Sequence, residues 1–311
     1  MSKPKLSIII VNWNTQALLK QCLDSITGEY HRYHKYHKYH KQGNDLSLEV
    51  IIVDNGSNDD SVDVIQKSKL KYQNQYLEFK IILNTENLGF GKANNQGIKV
   101  ATGDYIMLLN SDTIVKAQAI ELLVEYLNTH PATAVVGPKL LNADGTSQAN
   151  CGHFPNLFVS FIMLFVEKLA LKEVVRYSPN TVTTVDWLMG AAVLARREVF
   201  DKIGGLDEGI FMYMEEVEWF YRVNRGGYKV EFYPKSEITH LGRGSSKSGR
   251  KDPILNIYRG LIHFYKKHYS KTSLILLLTM LKLKALLSYI LGIMTNNYYL
   301  KDTYAQALKI S

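Results

Sequence analysis

The apolar run Tyr105-Ile106-Met107-Leu108-Leu109 breaks into Asn110-Ser111-Asp112-Thr113. A buried strand that delivers a carboxylate between small polar residues can hold a divalent cation or face a phosphate at the edge of an open α/β sheet. The same residue types also favour a plain turn. Further on, Phe211 to Arg222 places Glu215, Glu216 and Glu218 at the start of a helix that stops at Gly226-Gly227. Carboxylates are favourable at a helix N-terminus, and Glu218 is spaced to pair with Arg222, an i,i+4 contact worth less than about 1 kcal/mol. A general base needs only one of the three. His240 precedes Gly242-Arg243-Gly244-Ser245-Ser246-Lys247, a basic loop suited to phosphate, although a single histidine is as readily an ordinary polar residue. Val185-Asp186-Trp187-Leu188-Met189-Gly190-Ala191-Ala192 joins an aromatic ring to small residues, as either an acceptor pocket or a buried turn and strand.

The elements that must position these groups alternate. Leu6–Val11, Val50–Val53, Phe79–Leu83 and Tyr105–Leu109 read as strands, while Gln16–Ile26, Ser61–Lys69 and Gly91–Ala101 have helical spacing. A βαβαβαβ order implies an α/β fold, Rossmann-like, with a mostly parallel sheet and helices on both faces. Ligands then bind beyond the strands' C-terminal ends. Those ends carry Asn12-Trp13-Asn14, Asp54-Asn55-Gly56-Ser57, Asn84-Thr85-Glu86-Asn87 and Asn110-Ser111-Asp112. No GxGxxG follows the first strand and no GxxxxGK[ST] occurs, which argues against a dinucleotide oxidoreductase and a P-loop enzyme. Asp54 is placed either to meet a nucleobase or ribose, or to cap the next helix through an Asx-turn.

A chain of 311 residues, 46% hydrophobic and 21% charged, falls in the globular class. Cys22 and Cys151 form no disulfide framework, and Leu6–Val11 is too short for a signal peptide, so a cytoplasmic setting is the expectation. The net charge of +8 is concentrated: residues 251–311 hold nine Lys or Arg against Asp252 and Asp302, a net +7. With the main body nearly neutral and no recognition motif present, nucleic acid is not an expected partner. The repeat Tyr30-His31-Arg32 through Tyr39-His40-Lys41 lacks an apolar face and reads as a low-complexity surface insertion over residues 29–47. In the tail, Leu274–Ile293 is long and apolar but contains Lys282 and Lys284. Spanning a bilayer is then close to break-even, and association with an anionic membrane surface is favoured over a span or a helical hairpin docked on the core.

Ser7–Asn14, Val53–Ser57, Glu86–Gly97, Leu109–Thr113, Val136–Leu141, Met189–Ala192, Gly204–Glu208, Phe211–Arg222 and His240 together resemble family 2 glycosyltransferases of the rhamnosyltransferase-like branch. The resemblance implies a GT-A domain over residues 1–250 followed by a basic, apolar helical tail over 251–311. It implies an inverting transfer from a nucleotide-diphosphate sugar, rhamnose first or else galactofuranose or a hexose from UDP, to a glycan or lipid-linked acceptor in cell-surface polysaccharide synthesis. The enzyme would sit peripherally at the inner face of the plasma membrane. Asn12, Asn14, Asp54, Asn87, Gly89, Asn94 and Ser111 would bind the donor, and Asp112 with His240 would hold Mg or Mn. Trp187, Gly190, Ala191 and Glu215 would meet the acceptor, and Glu216 would be the base. The Glu215-Glu216 pair stands where the family usually has Glu-Asp. Outside the class, a catalytically inactive nucleotide- or carbohydrate-binding module is the alternative. A nucleotidyltransferase would need a glycine-rich basic loop after the first strand, which is missing.

Overall fold

The computed structural model describes residues 5–40, 47–74, 77–166, 172–242 and 251–310, with backbone alone for 31–40, 172 and 251. The strands are β1 Lys5–Asn12, β2 Ser47–Asn55, β3 Leu77–Asn84, β4 Tyr105–Asn110, β5 Thr113–Val115, β6 Thr133–Leu141, β7 Ser147–Gln148, β8 Cys151–Gly152, β9 Arg176–Tyr177, β10 Thr183–Thr184, β11 Trp187–Leu188, β12 Ala192–Arg196 and β13 Lys229–His240. The helices are α1 Gln16–His40, α2 Ser61–Tyr72, α3 Phe90–Val100, α4 Ala119–Thr129, α5 Leu157–Phe161, α6 Lys172–Val175, α7 Arg197–Ile203, α8 Glu215–Arg225, α9 Lys251–His268, α10 Lys271–Met294 and α11 Tyr298–Ile310. A π-helical turn, Ile162–Val166, continues α5.

Among the described residues a ten-stranded sheet runs in the order β10-β13-β6-β12-β4-β1-β2-β3, with β5 on β13 and β7 on β6. Strands β4, β1, β2 and β3 are parallel, as the alternation predicts. Their registers set Asn12 opposite Asp54, Asn55 opposite Asn84, and Val11 opposite Asn110, so the polar strand ends share one edge. The sheet is nonetheless mixed. Strand β12 lies antiparallel between β4 and β6, with Ala192 opposite Leu109. The segment predicted to end in small residues at Ala191-Ala192 thus feeds directly into a central strand.

Alternation along β1 sends Leu6, Ile8 and Ile10 to one face and Ile9 to the other. The first face packs against Leu19, Leu23 and Ile26 of α1 and Leu123 and Leu127 of α4. The opposite face shares a core with Trp219 and Phe220 of α8 and, beyond them, with Leu261, Phe264 and Tyr265 of α9, all three wholly buried. Each such side chain contributes roughly 1.5–3 kcal/mol before ordering costs, so α9 docks firmly on the body. On α10 only the stripe Leu277, Leu281, Ala285, Ser288 and Gly292 is buried, while Leu283, Leu286, Leu287, Ile290 and Leu291 are exposed. By length and composition this is the one helix among the described residues that is able to cross a membrane.

One expected boundary changes. The helix predicted over Gln16–Ile26 runs on to His40, because the Tyr-His-Lys repeat contains neither proline nor glycine and its lysines are good helix formers. The repeat, read as a surface insertion over 29–47, has a helical backbone through His40, and 41–46 lie outside the described residues. Strand β13 runs unbroken from Lys229 to His240, since a register shift between Tyr233 and Glu237 accommodates Pro234 without ending the pairing to β6. Arg243, Gly244, Ser245, Ser246 and Lys247 of the basic loop lie outside the described residues.

Candidate functional site

A polar cleft of about 90 Å³ opens at the sheet edge, lined by Val11, Trp13, Thr15, Asn55, Asn87, Phe90, Asn110, Ser111, Asp112 and Met212. Four strand-to-helix connections thus meet there, as the sequence implies. Their side chains first hold one another. The Asn12 amide donates to Asp54 at 2.9 Å and to Ser57 at 3.1 Å, and Ser57 N–H donates back to Asp54 at 2.9 Å. Asn14, at φ 53°, accepts from Asn58 N–H at 2.7 Å. Asp54 is only 1% exposed, so its carboxylate closes the Asx-turn and braces Asn12. Thr15 donates to Asn12 and meets Ser111 at 3.0 Å. On the other flank Asn55 donates to Asn87 at 2.8 Å, which accepts Gly89 N–H at 3.0 Å. Gly89 sits at φ +90°, and a β-carbon there would come within 2.6 Å of the Phe211 carbonyl oxygen. Only glycine lets these two loops approach so closely.

Not every expected donor residue reaches the cleft. Asn94 is 1% exposed and donates to Phe90 O inside α3, so its amide is spent on the helix. Sequence reasoning put Asn55 and Asn110 on the ligand edge without a role of their own and passed over Thr15. The signal for Asn55 was present in Asp54-Asn55-Gly56-Ser57, since neighbours on a strand point to opposite faces and the cleft takes Asn55.

Asp112 and His240, far apart in sequence, are brought together by the pairing of β5 with β13, which sets His240 opposite Thr113. Leu241 N–H donates to Asp112 O at 2.9 Å, locking the turn. His240 Nε2 lies 3.3 Å from Asp112 Oδ1, and both side chains are partly exposed. His240 Nδ1 meets Gln148 Oε1 at 2.7 Å, and Gln148 in turn donates to Asn142 at 2.9 Å. With the amide oxygen accepting from Nδ1–H, the Nε2 lone pair is turned toward Asp112, the tautomer a metal ligand needs. A buried Asn110 Oδ1 beside them has no hydrogen-bond partner among the described residues. An imidazole nitrogen and a carboxylate, with an unsatisfied amide oxygen nearby, fit a divalent ion. Among the described residues no cluster of three or more His, Cys, Asp or Glu forms, so a bound ligand would complete the coordination. Gln148 carried no signal in the sequence.

The three glutamates of α8 have separate environments. Tyr213 and Met214, at φ 65° and 78°, form a left-handed step into the helix, a strained conformation for non-glycine residues. Glu215 is 4% exposed and packs against Gly91 of α3, outside both cavities. Glu216 lines a larger, mostly apolar cavity of about 390 Å³. One carboxylate oxygen of each has no hydrogen-bond partner among the described residues. Burial pushes Glu216 up from its ordinary value; burial and then the charge of Glu216 push Glu215 well up. Glu218 behaves oppositely. It is wholly buried, bound by Arg222 Nε at 3.0 Å to each oxygen, by Lys267 at 2.8 Å and by His268 at 2.9 Å. Burial alone would raise it, but these partners hold the carboxyl below the usual range. The weak surface pair expected for Glu218 and Arg222 is instead a buried cluster joining α8 to α9. Lys267 and His263 reach Asp207 in the same way, at 2.6 and 3.0 Å.

Of the acceptor candidates, Trp187 lines the large cavity, its indole N–H donating to His153 O at 3.0 Å. A β-carbon on Gly190 would lie 3.6 Å from both Glu216 and the Phe90 ring, so Gly190 sits where the cleft and the cavity adjoin. Ala191 is 1% exposed and lines neither; its carbonyl accepts Asn110 N–H at 2.9 Å and so positions the Asn110–Thr113 turn. The far wall of the cavity comes from Ile254, Ile257 and Tyr258 of α9, Lys284 of α10 and Tyr304 of α11, which the sequence did not associate with the site.

The model of the family described as "Glycosyl transferase family 2" matches residues 7–217. Among curated relatives, the N-acetylglucosaminyl-diphospho-decaprenol L-rhamnosyltransferase of Mycobacterium tuberculosis (strain CDC 1551 / Oshkosh) is 26% identical over 212 residues, covering 62% of this chain and 66% of that protein. Rhamnosyltransferase WbbL of Escherichia coli (strain K12) is 27% identical over 170 residues, covering 51% and 63%. The chain therefore spans less than two thirds of the length of these relatives. Among solved structures, the mannosyltransferase PcManGT from Pyrobaculum calidifontis, in complex with GDP-Man and Mn2+, superposes with a TM-score of 0.57 at 16% identity over 100% of this chain and 87% of that one. GalNAc-T7 with UDP, GalNAc and Mn2+ gives 0.56 at 19% over 85% and 50%. These likenesses bear out the GT-A fold.

Proposed function

Because the chain belongs to glycosyl transferase family 2, we propose that it is an inverting glycosyltransferase moving a sugar from a nucleotide diphosphate to a lipid-linked glycan acceptor. The observation that carries this reading is the partition made by residues 212–216. Met212 lines the polar cleft beside Asp112, whereas Tyr213, Met214 and Glu216 line the apolar cavity behind it. A donor diphosphate at the cleft and an acceptor in the cavity would meet across this short segment. Asp112 and His240 would hold Mg or Mn, and such an ion, when bound, neutralises charge on the departing diphosphate. Asn55, Asn87 and Ser111 supply hydrogen bonds along the cleft.

Glu216 serves as general base. Its carboxylate takes the proton from the acceptor hydroxyl as that oxygen forms a bond to the anomeric carbon, while the bond from that carbon to the diphosphate oxygen breaks on the opposite face. The electron pair leaves with the diphosphate, and a single displacement inverts the centre. Burial, which raises Glu216, makes it a better proton acceptor than an exposed glutamate. The charged and bonded Glu218 is unsuited to the task.

Rhamnose is the proposed donor sugar, on the strength of the relatives' names. The lipid-linked acceptor rests on the same ground and on the tail. Nine cations and the exposed apolar face of α10 suit the inner, anionic face of the plasma membrane. A panel of nucleotide sugars with Mn tests this: turnover of dTDP-rhamnose is expected, and turnover of UDP-hexoses alone would reassign the donor. No metal-dependent binding of any nucleotide sugar would remove the transferase reading.

A further inference from the structure

We propose that the C-terminal helices complete the acceptor site, and that Lys284 of α10 recognises a phosphate of an acceptor whose lipid chain runs through the apolar cavity. This rests on the transferase reading above. At about 390 Å³ the cavity has several times the volume of the donor cleft. Its walls are mainly Met163, Leu164, Val175, Ile254, Ile257 and Tyr258, which offer an alkyl chain good contact but give a free sugar few hydrogen bonds. Three charged groups interrupt that surface: Glu216, Arg176 and Lys284.

Lys284 stands at an unusual place for a cation. It is half-buried in the middle of an otherwise apolar helix, beside the buried Ala285 and one turn from Leu281 and Ser288, with its ammonium 5.9 Å from the centre of the Phe165 ring. Lys282, two residues earlier, is exposed and lines nothing. A cation kept at the wall of an apolar cavity fits an anionic group on an apolar ligand. Arg176, whose charge also acts on Glu216, stands at the same cavity as a second cation. The exposed stripe Leu283, Leu287 and Leu291 continues from Lys284 along the outside of α10, giving a lipid chain an apolar route from the bilayer to the base. An acceptor so held would have its phosphate at Lys284, the first part of its chain in the cavity and the rest along α10, and its sugar hydroxyl at Glu216.

The test is equilibrium binding of farnesyl diphosphate, farnesol and inorganic diphosphate to the full chain, with chelator present so that no metal draws the diphosphate to Asp112 and His240. Farnesyl diphosphate should bind at least tenfold more tightly than either fragment. Lys284→Ala should erase most of that advantage, Lys284→Arg should retain it, and Lys282→Ala should change nothing, with circular dichroism and melting temperature checking each fold. Unchanged farnesyl diphosphate binding in Lys284→Ala, or equal binding of inorganic diphosphate, overturns the proposal, as does the absence of binding to the unmutated chain. Mn-dependent nucleotide-sugar affinity, measured on the same proteins, reports separately on the transferase reading and should be untouched by Lys284→Ala.

Discussion

His240 faces Asp112 with its Nε2 atom 3.3 Å from Oδ1, while its other nitrogen is held by Gln148 at 2.7 Å. The pair is thus oriented from behind before any ligand arrives. Asp112→Asn is expected to abolish transfer and to remove the Mn-dependent part of nucleotide-sugar affinity, and Gln148→Ala to weaken metal affinity about 10–100-fold by freeing the ring. Calorimetric titration with and without chelator measures both. Full activity of Asp112→Asn would refute the metal assignment.

Glu216→Gln should cut turnover about 10²–10⁴-fold while leaving donor affinity intact. Since burial raises Glu216, the acid limb of turnover should lie above the ordinary value of 4.5. Glu215 is raised as well, by burial and then by the charge of Glu216, so Glu215→Gln tests whether the limb belongs to Glu216 and should leave it above 4.5. A pH–rate profile of both variants decides; near-normal turnover in Glu216→Gln would place the base elsewhere.

The carboxylates of Glu218 and Glu49, which are buried, and of Asp207, which is partly buried, titrate below their ordinary values in the folded chain. For Glu49, burial is outweighed by Lys80 at 2.7 Å and by Ser7, Thr102 and Lys5, which bring it from 4.5 to about 2. A depressed folded value means that the stability contributed is complete above the unfolded value and lost as pH falls toward the folded one. Acid unfolding should therefore develop between about pH 4.5 and 2. Glu218→Gln should cost about 2–3 kcal/mol at neutral pH, somewhat below a fully buried broken pair because Lys267 can turn to water. Urea titrations at pH 7 and pH 4 test this, and a loss under 1 kcal/mol would show the cluster to be weak.

Membrane attachment is best tested by substitution on α10. Replacing Leu283, Leu287 and Leu291 together by glutamine should abolish flotation with anionic vesicles at low salt and leave the melting temperature nearly unchanged, because all three are exposed. Flotation equal to that of the unmutated chain would assign the apolar face another role.

What the sequence made legible is the part governed by local pattern. Apolar runs ending at or beside Asn12, Asp54, Asn84 and Asn110 gave the parallel strands and the edge they share. The antiparallel β12 escaped because Ala192–Arg196 is short and follows small residues that suit a pocket equally well. Long-range partners escaped for a different reason. Gln148 lies 92 residues from His240, and His268 lies 50 from Glu218, so no spacing rule connects them. Glu218 looked like a surface residue because its i,i+4 partner is visible and its burial is not.

A β-carbon on Gly260 of α9 would lie 2.8 Å from Met214 Cβ and 2.9 Å from the Tyr213 carbonyl oxygen, at the left-handed step that leads into Glu215 and Glu216. Together with the cations that α9 lends to Asp207 and Glu218, this contact makes the C-terminal helices poor candidates for exchange between related chains. A foreign tail grafted after residue 250 would strip the buried Glu218 and the partly buried Asp207 of their cations and leave the step into α8 without its backing. If the donor is seated on the β1–β4 edge as proposed, donor choice is free to diverge independently. The C-terminal helices and the helix that carries Glu216 have to be inherited as one unit.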